Sequence, residues 1–472
     1  MTYQLKPTWI VAALFCATIL ASAAGAEPVT VRVALKDFLS SNPNSVAHAE
    51  RIEQALAEQG HEIDIEIVDV PSSGYADALG VMLLSGDVPD LIYFQGGDQK
   101  IADQGVLEDW RPWIEETEHL KDALYPHNVA RLDNYPFLMH VFPLRGWQPV
   151  IRTDWLEAAT GGDRPETVED FRAMLSKIHD GGLDGASEQP YGFTAGGNLG
   201  ELDGFLNPAF GIDATWLKDA DGNWVHQQIS NEEKVKLQFY AEMFAEGLID
   251  PEYVTDNWEA KEDKFYTGRT GVVAASRAGN VVIYQNKMNQ VHPGTTLTLL
   301  DPPKGEAGQG LIAVDVSRES RGWALSALSE HKEEAVQILD FLASDDGQLM
   351  EQLGLPGIHY TVEGDRYALT DDFGSWESPF MIASNYEPPV DLLPEPAVRF
   401  QENMKTFFIA DNQFGYPAEL APTVDATDNV YKSWVFKFVS GAASFDDWST
   451  YVDEWKAAGG DDLLTLANET LN

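Results

Sequence analysis

The sequence predicts an α/β protein built from two lobes, and three observations lead to this prediction. After residue 28, a strand with period-2 alternation, a helical stretch and a second alternating strand follow one another. An apolar helix and a further strand then repeat this order. An extended segment at 141–151, which contains two prolines, separates this region from the next helices and strands. We interpret that segment as a crossing between lobes.

The first strand is predicted at 29–35, where valines alternate with Thr30 and Arg32. A helix with apolar positions around Ile52 and Leu56 follows and ends at Gly60, before a second alternating strand at 63–67. A strand, a helix and a strand in this order form a right-handed parallel βαβ unit. The pattern continues with a helix at 75–84 and a strand at 91–94.

The carboxyl ends of these strands are where an open α/β sheet binds ligands. Asp37 and Phe38 come just after the first strand, and Phe94 and Asp98 end or follow the later one. We therefore expect these four residues to lie near one crevice.

The second half of the chain alternates again between helix and strand signals. Thr167 and Asp170 have capping-box spacing at the start of a helix, and residues 219–224 read as a hairpin turn. The later predicted elements are a helix with Val235, Phe239, Met243 and Phe244 on one face, strands at 271–275 and 311–314, a helix at 335–342, a loop-rich stretch at 363–396 and helices over 430–471.

Length and charge limit the classes of function. The chain has 472 residues, enough for two large lobes, and a net charge of −45 from 76 acidic and 31 basic residues. A phosphate backbone would be repelled by this charge, so we expect no nucleic-acid partner.

The first 26 residues predict a secretory signal peptide cleaved after Ala26. Lys6 precedes an uncharged apolar run that ends in Ala24-Gly25-Ala26. The only cysteine, Cys16, lies in this run, so the mature chain would have neither disulfides nor thiolate chemistry. We expect a periplasmic protein.

Motifs that carry chemistry are missing from the sequence. No phosphate-binding loop, His-Glu-x-x-His zinc motif or Gly-x-Ser-x-Gly elbow is present. Asp180, Asp184 and Glu188 form a weak calcium candidate, because Gly182 interrupts their alternation. We expect no cofactor, with calcium at this loop left open.

Tryptophans are the best candidates for a binding role, since sugar rings stack on aromatic faces. Trp147, Trp323 and Trp376 have glycine and polar neighbours typical of loops. In contrast, the helical spacing of Trp155, Trp434, Trp448 and Trp455 predicts that these are core residues.

Several segments resemble family-1 extracellular solute-binding proteins. Residues 84–92 (LSGDVPDLI) and 101–107 (IADQGVL) are similar to that family's turn-strand and helix-end motifs. The segments at 151–156 (IRTDWL), 165–171 (PETVEDF) and 247–252 (GLIDPE), with the ending Phe438-Val439-Ser440-Gly441, are similar to its oligosaccharide-binding subgroup, which includes alginate-oligosaccharide-binding proteins. Together these motifs cover nearly the whole mature chain.

The resemblance implies a periplasmic-binding-protein type II fold, with two α/β lobes joined by a multi-segment hinge and a ligand cleft between them. The implied lobes are residues 27–143 with 317–385, and 147–313 with 390–472. It also implies delivery of a sugar to a membrane ABC permease, and sugar contacts from Phe94 and Asp98. The chain departs from the subgroup at 179–185, where too few ligands of its calcium loop remain.

On these grounds we expect the substrate-binding protein of an ABC importer, which captures an oligosaccharide as a monomer and without catalysis. A secreted polysaccharide lyase or hydrolase and an adhesive surface protein are the alternatives. Arg277 joins the candidates because it follows a strand that ends at Ser276, and Arg145 because it would suit a sugar carboxylate. The expected ligand-binding residues are Asp37, Phe94, Asp98, Arg145, Trp147, Arg277, Trp323 and Trp376.

Overall fold

The computed structural model describes residues 28–140, 145–312, 321–364, 366–376, 378–380, 395–412, 414 and 416–471. The strands are β1 (Val29–Ala34), β2 (Ile63–Val68), β3 (Leu91–Gln95), β4 (Gln148–Arg152), β5 (Tyr191–Phe193), β6 (Trp216–Lys218), β7 (Trp224–His226), β8 (Thr270–Ala275), β9 (Leu297–Leu299), β10 (Leu311–Ile312), β11 (Arg321–Leu325), β12 (Tyr360–Glu363), β13 (Arg366–Leu369) and β14 (Phe408–Ile409).

Helices surround these strands and supply most of the apolar faces that cover them. They are α1 (Pro43–Glu58), α2 (Tyr75–Leu84), α3 (Asp98–Ala102), α4 (Trp110–Glu115), α5 (Leu120–Ala123), α6 (Pro126–Asn134), α7 (Thr153–Thr160), α8 (Val168–His179), α9 (Gly200–Leu206), α10 (Asn231–Ala245), α11 (Trp258–Tyr266), α12 (Ala278–Val291), α13 (Lys332–Ala343), α14 (Asp345–Leu353), α15 (Glu395–Phe407), α16 (Ala421–Val439), α17 (Trp448–Trp455) and α18 (Asp461–Thr470). Within the described part of the chain, none of these helices has the length and apolar character needed to cross a membrane.

The first sheet has the order β11-β3-β1-β2 and contains the predicted βαβ unit. β1 pairs in parallel with β2, and β3 lies parallel on its other side. β11 then pairs with β3 in the antiparallel direction, although it follows β3 by more than 200 residues in the chain. The sequence-predicted strands and α1 and α2 are confirmed.

Both faces of this sheet are covered, so the side chains that alternate between the two faces are buried on either side. Val31 and Tyr93 pack in one apolar cluster, whereas Ala34, Ile92 and Phe94 pack in another on the opposite face. Successive residues of a strand point to opposite faces, and a sheet covered by helices on both sides buries both sets.

The second sheet has the order β5-β8-β4-β9 and mixes strand directions. β8 is parallel to β5 and antiparallel to β4. α8 begins as predicted, because Thr167 Oγ1 accepts a hydrogen bond from the Asp170 backbone N–H at 3.1 Å and the Asp170 carboxylate accepts one from the Thr167 N–H.

The apolar core is divided in the same way as the sheets. Among the described residues, the clusters around the first sheet draw on 31–139, 323–350 and Phe380. Those around the second sheet draw on 150–311, 400 and 424–467. The predicted lobe boundaries fall within or beside 141–144, 313–320 and 381–394, which lie outside the described residues, and they stay a prediction.

The predicted apolar face of α10 is confirmed at Phe239, Met243 and Phe244, which lie in or pack against the core, and is wrong at Val235. Val235 is 54% exposed, whereas Glu233, Lys236 and Tyr240 of the same helix are buried. Lys236 Nζ lies 2.7 Å from an Asp203 carboxylate oxygen and 2.9 Å from a Glu233 oxygen, so ion pairs make its burial possible. The four tryptophans at helical spacing near α7, α16 and α17 are core residues, as predicted.

His226 is a buried histidine whose protonation should make the stability of the fold depend on pH. Its ring packs against Trp216 and Trp455, and its Nδ1 accepts a hydrogen bond from the Gln228 N–H at 3.3 Å. Burial lowers the pKa of His226 to about 4, and Asp428 only partly opposes this. The unfolded chain, with a histidine pKa of about 6.5, therefore binds a proton that the folded chain does not.

We expect this contribution to stability to be complete above about pH 6.5 and to be lost as the pH falls toward 4. His226→Gln keeps a hydrogen-bond acceptor but cannot titrate, so its free energy of unfolding should fall less than that of the wild type between pH 7 and 4.5. Urea denaturation measures both slopes. The exposed His119 supplies the control His119→Gln, which should follow the wild type. Equal slopes for His226→Gln and the wild type would contradict the prediction.

Candidate functional site

The carboxyl ends of the parallel strands in the first sheet each lead to an aspartate. Asp37 follows β1, adopts a left-handed φ of 65° and is exposed. Asp69 follows β2 and accepts hydrogen bonds from the backbone N–H and the hydroxyl of Ser40 at 2.7 and 2.6 Å. Asp98 opens α3, after β3. The predicted placement of Asp37 and Asp98 at strand ends is confirmed.

Asp98 is buried beside Tyr135. Burial raises the pKa of the Tyr135 hydroxyl, and the charge of the nearby Asp98 carboxylate raises it further. Arg131 stands over the Tyr135 ring at 6.0 Å and opposes this effect. This end of the sheet is therefore polar and acidic.

Two of the predicted ligand-stacking aromatics are core residues instead. Phe94 is 1% exposed and Trp323 is 0% exposed. Trp323 lies on β11, where it stacks on Phe380 with ring centroids 5.4 Å apart and donates its indole N–H to the Phe380 carbonyl. Gly322, the neighbour of Trp323 that suggested a loop, lies within β11 and pairs with Phe94 of β3. A side chain without an exposed face offers no stacking surface in this conformation.

Trp376 is half-buried and contacts residues of α1 and α14. Its indole N–H donates to the Glu351 carbonyl at 2.6 Å, and its ring meets the edge of His48 at 5.1 Å. The ring also lies over Gly354, where a Cβ would come within 2.6 Å of the indole. The 3₁₀ turn Asp371–Ser375, directly before Trp376, contacts α12 near the second sheet.

At the edge of the second sheet, the structure brings two tryptophans and a lysine together. Trp147, just before β4, lies with its ring centroid 6.3 Å from that of Trp258, the first residue of α11. Lys261 Nζ lies 3.6 Å from the Trp258 centroid and 5.5 Å from the Trp147 centroid. Both indoles are half-buried. We call these three residues, with Glu201, the indole platform.

Glu201 anchors the lysine of the indole platform. Lys261 Nζ donates to both Glu201 carboxylate oxygens, at 3.0 and 2.9 Å, and the Gly196 N–H adds a bond at 3.3 Å. Burial raises the pKa of Glu201 and lowers that of Lys261, and each partner's charge opposes the shift of the other. The pair thus holds Lys261 in place over the indoles.

A second buried lysine of α11, Lys264, also binds carboxylates from outside the helix. Lys264 Nζ donates to Asp250 at 2.7 Å and to Asp256, while Asp250 also accepts the Thr194 hydroxyl at 2.8 Å. Burial works against the charge of Lys264, but the hydrogen bonds to Asp250, Asp256 and Glu252 outweigh it and raise the lysine pKa. The Gly-Leu-Ile-Asp-Pro segment therefore positions α11.

Arg145 and Arg277 are half-buried. Arg277 directly precedes α12, which places it near Tyr284, and Tyr284 lies 6.2 Å from Trp258 between ring centroids. Arg277 thus lies in the part of the second sheet's surroundings that contains Tyr284 and Trp258, and its contact with a ligand stays a prediction.

The calcium candidates do not form a cluster of ligands. Asp180 follows the last residue of α8 and its carboxylate lies 3.7 Å from Lys177 Nζ, and the Asp184 carbonyl accepts the Trp155 indole N–H at 3.0 Å. Glu188 is exposed. Across the described ranges, no group of three or more His, Cys, Asp or Glu side chains is arranged to hold a metal ion.

A separate surface pocket of about 380 Å³ is lined by residues of β6, β7 and the stretch after β14. It shares no lining residue with the indole platform.

Sequence reasoning missed Trp258, Lys261 and Glu201. One signal was available, because Trp258, Lys261 and Lys264 have the three-residue spacing of one helix face. The acidic partner of Lys261 could not be found in this way, since Glu201 is 60 residues from it in the chain.

The Glu201–Lys261 pair can be tested by stability. Lys261→Met leaves the Glu201 carboxylate buried without its cation, which should cost about 3 to 5 kcal/mol in the free energy of unfolding at pH 8. The loss should shrink as the pH falls, because the raised pKa of Glu201 lets the folded chain take up a proton before the unfolded chain does. Urea denaturation at pH 8 and pH 5 measures this difference.

The double variant Lys261→Met with Glu201→Gln removes both charges and should be more stable than Lys261→Met alone. Lys177→Met is the control, because its ion pair with Asp180 is exposed on both sides. A Lys261→Met protein as stable as Lys177→Met would argue against a buried ion pair.

Comparison with known proteins supports the resemblance seen in the sequence. The family model described as bacterial extracellular solute-binding protein matches residues 45–349. The lipoprotein LipO of Bacillus subtilis (strain 168) is 22% identical over 317 residues, an alignment that spans 64% of this chain and 62% of that protein.

Solved structures share the fold at low identity. The alginate-binding protein AlgQ2, solved without calcium ion, is 16% identical with a TM-score of 0.65, covering 94% of this chain and 98% of that one. The N-glycan transport solute-binding protein of Streptococcus pneumoniae is 14% identical with a TM-score of 0.67 at the same coverage. The predicted two-lobed periplasmic-binding-protein fold is confirmed. Since the family model covers well over half of its length, the chain belongs to the bacterial extracellular solute-binding protein family.

Proposed function

We propose that this protein is the substrate-binding component of an ABC importer, which captures an oligosaccharide between its two lobes and delivers it to a membrane permease. The observation that carries the proposal is the indole platform at the edge of the second sheet. Two adjacent, half-buried indoles offer an apolar surface for the C–H faces of sugar rings, and polar groups surround them. Structural neighbours that bind alginate or transport N-glycans support a sugar ligand.

Capture would use hinge closure. The aspartates at the strand ends of the first sheet and the indole platform of the second belong to separately packed cores. Closure of two such lobes buries a ligand against both, and the bound ligand stabilises the closed form. Such a protein needs complementary contacts and no catalytic step, so we propose that it is not an enzyme.

We propose export to the periplasm, with cleavage after Ala26, and a monomer that docks on permease subunits. The family's description as extracellular supports an exported location. Among the residues expected from sequence, Asp37, Asp98, Arg145, Trp147, Arg277 and Trp376 remain proposed ligand contacts, and we add Trp258. Phe94 and Trp323 are left out because they are buried in the core.

The first experiment asks whether sugars bind and stay intact. The mature protein is incubated with oligosaccharides, and melting temperature and product masses are recorded. We expect a rise in melting temperature with ligand masses unchanged, because a ligand that binds only the folded state stabilises it. Shortened products would favour the lyase or hydrolase alternative, and no stabilisation by any sugar would contradict the proposal.

The second experiment removes the stacking surface. Trp147→Ala and Trp258→Ala should each weaken sugar affinity by about 1.5 to 3 kcal/mol, because each loses most of the apolar area of one indole. Isothermal titration calorimetry with a sugar from the first screen measures the change. Trp224→Ala is the matched control, since Trp224 is also half-buried under a lysine, with Lys218 Nζ 4.8 Å from its ring, but lies outside the indole platform. An equal loss in all three variants would indicate a general effect on folding.

A further inference from the structure

Gly204 of α9 lies directly against the Trp147 side chain of the indole platform. A Cβ added at Gly204 would lie 2.7 Å from the Trp147 Cβ and 2.8 Å from its Cδ1. Carbon atoms in van der Waals contact are about 3.5 to 4.0 Å apart. The Trp147 side chain therefore occupies space that any side chain at position 204 would need.

Space, and not backbone conformation, is the reason for a glycine at this position. Gly204 lies inside α9, is buried and does not have a positive φ. An alanine would adopt the same backbone conformation and would favour the helix, since glycine lowers the stability of a helix interior. Glycine therefore weakens α9 at the point where the Trp147 side chain approaches it.

The core packing of α9 keeps this helix from moving away from Trp147. Phe205, the next residue, is fully buried, and its ring centroid lies 5.8 Å from that of Phe171 and 6.1 Å from that of Phe193. A shift of the helix would disturb these contacts in a closely packed interior. A methyl group at position 204 would therefore displace the indole more readily than the helix.

The backbone next to Trp147 is enclosed on its other side. A Cβ added at Gly146 would lie 2.9 Å from Met404 Sδ of α15 and 3.6 Å from the Ile312 carbonyl oxygen of β10. Little room remains there for a shift of the chain away from α9. The close approaches at Gly204 and Gly146 together define the position of the Trp147 indole.

The same face of α9 also holds the lysine of the indole platform. Glu201 and Gly204 are three residues apart and so lie on one face of the helix. Glu201 binds Lys261, whose Nζ lies 3.6 Å from the Trp258 ring centroid and 5.5 Å from that of Trp147. This short helix thus positions Lys261 through a carboxylate and Trp147 through the absence of a side chain.

We infer that Gly204 is a positioning residue of the proposed sugar site, because the missing side chain lets the Trp147 indole lie beside Trp258 at a centroid distance of 6.3 Å and an interplanar angle of 38°. This inference rests on the proposed function and deepens it. A Cβ at position 204 would push the indole by roughly 1 Å to restore van der Waals distances. The stacking surface would then be misplaced although every group that contacts the ligand is still present.

The test measures sugar affinity in the mature Gly204→Ala protein by isothermal titration calorimetry, with the tightest-binding sugar of the melting screen. We expect the affinity to fall about tenfold or more, toward the loss in Trp147→Ala, because the apolar contact with the indole is misplaced. In a Trp147→Ala background, Gly204→Ala should change the affinity by less than about twofold, because the indole that it would displace is already absent.

The matched control is Gly200→Ala on the same helix. A Cβ at Gly200 would approach only the Asn198 side chain, which can turn away, so this variant should keep the wild-type affinity. Near-ultraviolet circular dichroism gives a second readout, because two close indoles produce a signal that depends on their mutual orientation. Gly204→Ala should change this signal without ligand, and Gly200→Ala should not.

A folded Gly204→Ala protein with wild-type affinity would overturn the inference and leave the proposed function intact. An equal loss of affinity with and without the Trp147 indole would also overturn it, since the effect would then come from the fold in general. If Gly204→Ala does not fold, adding Trp147→Gly removes both clashing atoms and should restore folding. A double variant that stays unfolded would contradict the inference, whereas a wild-type protein that binds no sugar would overturn the proposed function as well.

Discussion

Two buried lysines on one nine-residue helix determine where the candidate site stands. Lys264 of α11 is bound by Asp250 and Asp256, and Lys261 by Glu201 of α9. Asp250 also donates its backbone N–H to the Phe193 carbonyl, so the helix is tied to the end of β5 and to α9. A buried ammonium without a partner would be strongly unfavourable, which makes each of these contacts obligatory in the folded state. Trp258 begins this helix, and its position over the edge of the second sheet follows from the same two anchors.

Ion pairs of this kind give the surface around the indole platform its shape and polarity. Lys261, Lys264 and Lys287 are each held by a carboxylate of the chain. A ligand bound at this proposed site would meet apolar indole surface next to carboxylate oxygens, a combination that can recognise ring faces and hydroxyls together. The arrangement therefore fits capture of a sugar and its later release.

The first sheet could be predicted from sequence because its signals are local. Alternation in β1 and β2, the helices between strands and the handedness of βαβ units determine a parallel sheet without knowledge of distant contacts. The capping box at Thr167 and the helical spacing of four core tryptophans are local in the same sense. The pairing of β11 with β3 does not follow from local signals. The two strands are far apart in the chain, and neither strand's sequence indicates its partner.

The sequence by itself determined the fold class, the family and most element positions, because periodicity and short motifs act within a few residues. Only the tertiary structure decided which aromatics stay partly exposed, since an indole's exposure depends on what other segments place over it. Trp323 is covered by Phe380 on another segment, whereas Trp147 meets Trp258 from a helix more than 100 residues later. The same holds for charge: Lys236 and Lys261 are buried, against their usual preference, because carboxylates distant in sequence neutralise them.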